Sequence, residues 1–165
     1  MAGTKEQPIL IGSYGKGRAT INGGAGNSVW TDSCSWLQIK NLKVVGDGRL
    51  NGNKGSGIEL RHVQNCTVDS VEASGFLWSG VKALGGKNLK ITNVYAHDNG
   101  FSGINVESDG QDEGGLEGSG GKTFRNVYIA NMGFFNMQGQ PHGRTIQSVT
   151  IRATTMGQKM GNVAS

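Results

Sequence analysis

Ser56-Gly57-Ile58, Ser79-Gly80-Val81 and Ser102-Gly103-Ile104 open three successive stretches of the chain, and their glycines stand 23 residues apart. The same step carries Asn65 onto Asn88, Val68 onto Ile91, Val71 onto Val94, Ala73 onto Ala96 and Trp78 onto Phe101. A period in this range with matching apolar positions describes stacked supersecondary units, none of which can bury its apolar face alone. Within one unit the apolar residues alternate in short triplets, Ile58-Glu59-Leu60, Cys66-Thr67-Val68 and Val71-Glu72-Ala73, which is the period of a strand. The segments between them are short and rich in Gly, Asn and Ser, too short for a helix. Each unit is therefore three strands separated by turns, laid about 4.8 Å from its copy with the strands parallel. The two-residue turns Lys40-Asn41, Asp69-Ser70, Thr92-Asn93 and Ala130-Asn131 place Asn, or once Ser, where a left-handed corner is needed.

Working outward, Leu37, Ile39, Leu42 and Val44 match the next unit at a step of 29, so a Gly/Asn-rich insertion of six residues falls between Gly46 and Lys54. Residues 8–23 supply the opening unit. Beyond Glu107 a longer insertion precedes Val127-Tyr128-Ile129-Ala130-Asn131, which matches Leu89-Lys90-Ile91-Thr92-Asn93 at a step of 38. After Gly139 the pattern fades, and within residues 140–165 only Ile146, Val149 and Ile151 keep a plausible alternation.

Pro8 to Gly15, Ala19 to Gly23 and Asn93 to Gly103 resemble right-handed parallel β-helices of the pectate-lyase-like type. The resemblance covers residues 3–139 and implies an all-β solenoid of about six coils, roughly 30 Å long, as a single domain over residues 1–165. It implies a secreted or cell-surface, carbohydrate-active protein working on an acidic polysaccharide. β-Elimination by a polysaccharide lyase is its first expectation, and non-catalytic, adhesin-like glycan binding or an inactive fragment are the alternatives, because this architecture hosts many chemistries. The missing helical cap before residue 8 suggests a fragment, either monomeric or associating end to end through uncapped coils.

Composition agrees with a fold made of corners: 29 glycines, 2 prolines and 17% charged residues in 165. The net charge of +4 suits an acidic glycan, but the basic residues are scattered rather than striped, which argues against nucleic acid. No apolar run is long enough for a membrane or signal segment. The two cysteines form no framework: Cys66 takes the inward position of Leu89, and Cys34 sits three residues before Leu37, out of register for a bridge.

In folds of the resembled type the outward face of the first strand forms the substrate groove. The alternation puts Glu59, Lys82 and Asn105 in one outward column, with Arg61, Leu84 and Glu107 beside it. A lyase requires a base for the α-proton and a cation for the substrate carboxylate, which nominates Lys82 or Arg61 as base and Glu59 and Asn105 as substrate ligands. The plain alternative is a cross-strand ion pair between Glu59 and Lys82. Trp78 and Phe101 share one turn column and could floor a sugar subsite or simply pack the turn. His97-Asp98, in the turn before the third Ser-Gly, is a conceivable acid/base pair, or else a turn bonded to its local backbone.

The insertion after Glu107 carries five carboxylates in eleven residues, Glu107, Asp109, Asp112, Glu113 and Glu117. Hard oxygen ligands on such a loop suit calcium, for which Glu107, Asp109, Asp112 and Glu113 are the candidate ligands; the alternative is a solvated acidic loop. The spacing departs from an EF-hand at Gln111 and Gly120, and Gly121-Lys122-Thr123 lacks the first glycine and the helix of a phosphate loop.

Overall fold

The structure is a computed structural model that describes residues 1–107 and, beyond them, the backbone of the strands Tyr128–Ala130, Gly133–Phe134 and Val149–Arg152. The described residues are all-β, with no helix. The strands are β1 (Ile9–Gly12), β2 (Ala19–Gly24), β3 (Val29–Asp32), β4 (Leu37–Gly46), β5 (Ile58–Ser74), β6 (Ser79–His97), β7 (Ser102–Glu107), β8 (Tyr128–Ala130), β9 (Gly133–Phe134) and β10 (Val149–Arg152). They form one sheet whose pairings are parallel throughout.

The register follows the repeat. Val68 pairs with Ile91 and Val71 with Val94, the step of 23. Ile39 pairs with Val68, the step of 29. Ile91 pairs with Ile129, the step of 38. Two strands go beyond the sequence reading. β3 pairs with the start of β5 at Val29↔Ile58, although residues 24–34 had drawn no strand, and β10 pairs with β7 at Val149↔Ile104, although the tail had matched the repeat poorly.

β5 and β6 are each three straight segments joined by two corners, the first bounded by two left-handed residues and the second marked by one. His62, Asn65 and Ser70 have φ near +50°, as do Asn88 and Asn93 one repeat later, and Ser33, Trp36 and Asn41 one repeat earlier. The corners therefore fall in columns: Ser33, His62 and Gly85; Trp36, Asn65 and Asn88; Asn41, Ser70 and Asn93. Ser70, which interrupts the Asn pattern, adopts the same conformation as its neighbours. Column side chains bond upward, as from Asn88 Nδ2 to Asn65 Oδ1 at 2.7 Å. Asp69 Oδ1 accepts from Thr92 Oγ1 at 2.6 Å and from Asn93 Nδ2 at 2.7 Å.

Inward residues of all three segments meet in one core, in which Ile58, Leu60, Val63, Val68, Val81, Ile91 and Ile104 have no measurable exposure. Cys66 lies opposite Leu89 as expected. Cys34 is also buried, both thiols are free, and the Cys66 thiol lies 3.3 Å from the Gln64 carbonyl and 3.8 Å from the Cys34 carbonyl. Burial pushes the Cys66 thiol above its usual pKa.

The Ser-Gly motif has a packing cause. A Cβ on Gly80 would stand 2.9 Å from the Gly103 carbonyl and 3.0 Å from the Ala96 methyl, so only glycine lets successive backbones stack here. Its serines are buried, and Ser79 Oγ shares a 2.9 Å hydrogen bond with Ser102 Oγ.

The insertion between Gly46 and Lys54 is more than surface loop. Asn53, 1% exposed, donates to the carbonyls of Gly24 and Gly26 and accepts from the amides of Gly55 and Leu77. All four hydrogen-bonding positions of its amide are thus used. Asn99 does similar work two steps on, donating to the Ala73 carbonyl and accepting from the Phe76 amide. Phe76, fully buried, occupies the position between them. Residues 1–7 contain no capping helix; they run alongside the second repeat, with Ala2 bridged to Ser35 and the Gly3 amide bonded to the Ser35 carbonyl.

Candidate functional site

The outward column of the first segments runs Trp30, Glu59, Lys82, Asn105 through successive parallel partners. Beside it runs Asp32, Arg61, Leu84, Glu107. Glu107 aside, the pleat alone places these side chains on the face away from the core. What they do there differs from the simple alternation in three respects.

First, outward does not mean exposed. Glu59 is 7% and Asn105 4% exposed. Asn27, from the turn before β3, reaches over and donates its Nδ2 to Glu59 Oε2 at 3.2 Å, while its Oδ1 accepts the Ser56 amide.

Second, Glu59 takes its cation from its own strand. Arg61 places Nε at 2.8 Å and an Nη at 2.7 Å from Glu59 Oε1. Residues i and i+2 share one face of a strand, and the forked guanidinium closes the gap that a cross-strand pair with Lys82 was expected to fill.

Third, Lys82 lies over an aromatic ring, its Nζ 5.7 Å from the Trp78 centroid. Trp78 and Phe101 meet edge to face at 6.2 Å, as their shared turn column predicts. Both stay substantially exposed, and so does Trp30. Trp30 escaped the sequence reading with the rest of β3; the step of 29 from Glu59 was the signal that would have found it.

The charged face of the third segments is built otherwise. Glu72 accepts from Lys43 Nζ at 2.7 Å, lies 3.6 Å from Arg18 and 3.4 Å from His97 Nε2. His97 Nδ1 lies 2.7 Å from Asp98 Oδ2, and its ring stacks on Tyr95 at 4.7 Å. At His97-Asp98 the two side chains bond each other, and His97 also reaches Glu72. The partners of this pair belong to the third segments rather than to the column of Glu59 and Lys82. Glu72, a residue the sequence did not nominate, is the centre of the cluster. Lys43's hydrogen bond, ahead of His97's, holds the Glu72 carboxyl below its usual pKa.

Asp32, at the foot of the Arg61 column, bonds His62 Nδ1 at 2.7 Å and Ser33 Oγ at 3.1 Å. This His–Asp pair bridges two repeats and was not anticipated. The hydrogen bond from His62 lowers the Asp32 pKa.

Glu107 ends β7, but its side chain, together with the calcium candidates Asp109, Asp112 and Glu113, lies outside the described residues. Among the described residues no three His, Cys, Asp or Glu side chains converge as metal ligands, and no helix is long and apolar enough to cross a membrane.

Comparisons with protein-family models, with curated proteins and with solved structures each found no match to this chain.

Proposed function

We propose that the chain is a right-handed parallel β-helix of the pectate-lyase-like kind and that the outward face of its first segments binds an acidic polysaccharide. The fold reading is supported by parallel register at the repeat step, by corner residues aligned in columns and by one core shared by three segments per repeat. The binding reading is carried by one observation: exposed Trp30, Trp78 and Phe101 flank the cations Arg61 and Lys82 on a single face. Aromatic faces stack on the C–H face of sugar rings, and cations pair with uronate or sulfate groups. Arg61 shares its guanidinium with Glu59, so Lys82 is the stronger cation for such a ligand and Arg61 contributes in part. Secretion to an extracellular glycan would accompany this function.

A second reading is β-elimination, favoured by Lys82 and Arg61 lying diagonally across two neighbouring repeats, Lys82 opposite Glu59 and Arg61 opposite Leu84. Lys82 would take the proton α to a uronate carboxylate that Arg61 helps to neutralise, the C–O bond to the next sugar would break as the C=C bond forms, and water would return a proton to the leaving oxygen. Calcium on the acidic insertion belongs to this reading but no step here depends on it.

One experiment addresses both. Affinity electrophoresis of the protein through gels containing pectate, alginate or a neutral glucan should show retardation in the acidic gels alone. The same polymers in solution, with and without calcium, are followed by the absorbance of the unsaturated product. Equal mobility in all gels would overturn the binding reading. Retardation without absorbance would leave binding and remove elimination.

A further inference from the structure

Where the chain turns from its first to its second segment, Ser33, Cys34 and Ser35 of one repeat and His62 and Gln64 of the next line a cleft of about 230 Å³. It adjoins the proposed groove directly: Ser33 follows Asp32 and His62 follows Arg61, and Asp32 and Arg61 are partners in register. We propose that this corner cleft is a separate saccharide subsite that takes one sugar ring, such as a branch or terminal unit of the polysaccharide.

Four properties support the assignment. The volume is below the roughly 300–1,000 Å³ of sites for drug-sized ligands, which suits one small ring and not a chain. The lining is polar, with hydroxyls from Ser33 and Ser35, the Gln64 amide and the His62 imidazole; such mixed donors and acceptors match vicinal hydroxyls, whereas an apolar ligand would find little to cover.

The lining is also held in place. The ionised Asp32 carboxylate fixes the His62 ring at 2.7 Å, and the Gln64 backbone is tied on both sides, its amide to the Cys34 carbonyl and its carbonyl to the Trp36 amide. Both corner residues, Ser33 and His62, are in the left-handed conformation, so the cleft rests on backbone geometry that the fold itself enforces. Finally, the next residue of this corner column is Gly85. The side chains that build the cleft thus occur at one level of the stack, which makes it a local site and not a feature of every repeat.

The ligand class rests on the saccharide reading of the groove; the site itself does not. The test is a titration of the isotope-labelled protein with methyl glycosides of neutral sugars and uronic acids, following the imidazole NMR signals. The chain has three histidines, so assignment through His62→Asn is direct, and Asn is at ease in the left-handed conformation of that corner.

The expected result is a saturable shift of the His62 signal that leaves His97 unmoved. Gln64→Ala, an exposed side chain whose loss spares the backbone bonds, should weaken binding about five- to tenfold, the worth of one or two hydrogen bonds. No His62 shift with any glycoside, or a shift unchanged by Gln64→Ala, overturns the subsite. Polysaccharide retardation in gels is read separately on the same variants. Retardation with a silent His62 would leave the groove and remove the cleft; a responsive His62 without retardation would do the reverse.

Discussion

The outward faces of the first and third segments sit on the same sheet and both carry acids and bases, yet their central carboxylates, Glu59 and Glu72, take their partners in opposite ways. On the third face one carboxylate, Glu72, draws in Arg18, Lys43 and His97, so the charge is settled across the stack. On the first face Glu59 is satisfied along its own strand by Arg61 and from above by Asn27. On that face Lys82 lies over the Trp78 ring, and three aromatic side chains stay exposed. A face whose ions bind one another across repeats reinforces the stack, whereas a face that settles its acid locally keeps its stacking surface for a ligand. On the reading proposed above, the third face serves stability and the first recognition.

The largest effect should come from what both faces rest on. Phe76→Ala empties a fully buried site between Asn53 and Asn99 and should lower stability by about 3–5 kcal/mol, read from urea unfolding; a loss under about 1 kcal/mol would show that Phe76 is not a keystone of the stack.

Next, Trp78→Ala should weaken acidic-glycan binding by about tenfold or more, as expected for an aromatic anchor, with little change in the unfolding midpoint. If instead stability falls and affinity stays, the first face is structural and the contrast with the third collapses.

Glu59→Gln sharpens the same contrast. Removing the acid releases Arg61 for the ligand, so affinity for pectate should rise a fewfold, at a cost of about 1–3 kcal/mol for disturbing a buried, hydrogen-bonded group. Unchanged affinity in gel retardation would show that Arg61 does not contact the glycan.

The smallest effect belongs to the third face. Glu72 has its pKa depressed in the fold, first by Lys43. A depressed carboxyl contributes stability that is present above its unfolded pKa and lost as pH falls through the folded one. Between about pH 5 and pH 3 the wild type should therefore lose more stability than Glu72→Gln does. At neutral pH Lys43→Ala should cost no more than about 1 kcal/mol, since the Lys43 side chain is 40% exposed and surface ion pairs are weak. Parallel pH–stability curves for wild type and Glu72→Gln would remove Glu72 from the acid response.

Of the candidate site, the sequence disclosed the residues that a column defines. Glu59, Lys82 and Asn105 share a face because their strands pair at a constant step, and Trp78 meets Phe101 for the same reason. It did not disclose Trp30, because β3 is only four residues long and stands at a step of 29 rather than 23. Nor did it disclose the Asp32–His62 pair, whose members are separated by thirty positions and meet only once β3 lies beside β5.

What the sequence determined by itself is the periodic part of this protein: strand rather than helix, parallel pairing, the inward residues and the left-handed corners at Asn41, Ser70 and Asn93. These follow from local rules, the two-residue pleat and the tolerance of Asn for positive φ, applied at a fixed step. Only the tertiary structure decided which outward side chains are covered and which partner each charge takes. Glu59 had Lys82 across the sheet and Arg61 along the strand as equally regular neighbours. The choice between them turns on side-chain length, on the Asn27 turn that closes over the carboxylate and on the Trp78 ring that engages Lys82. Such contacts join residues distant in the chain and obey no period, so no repeat can encode them.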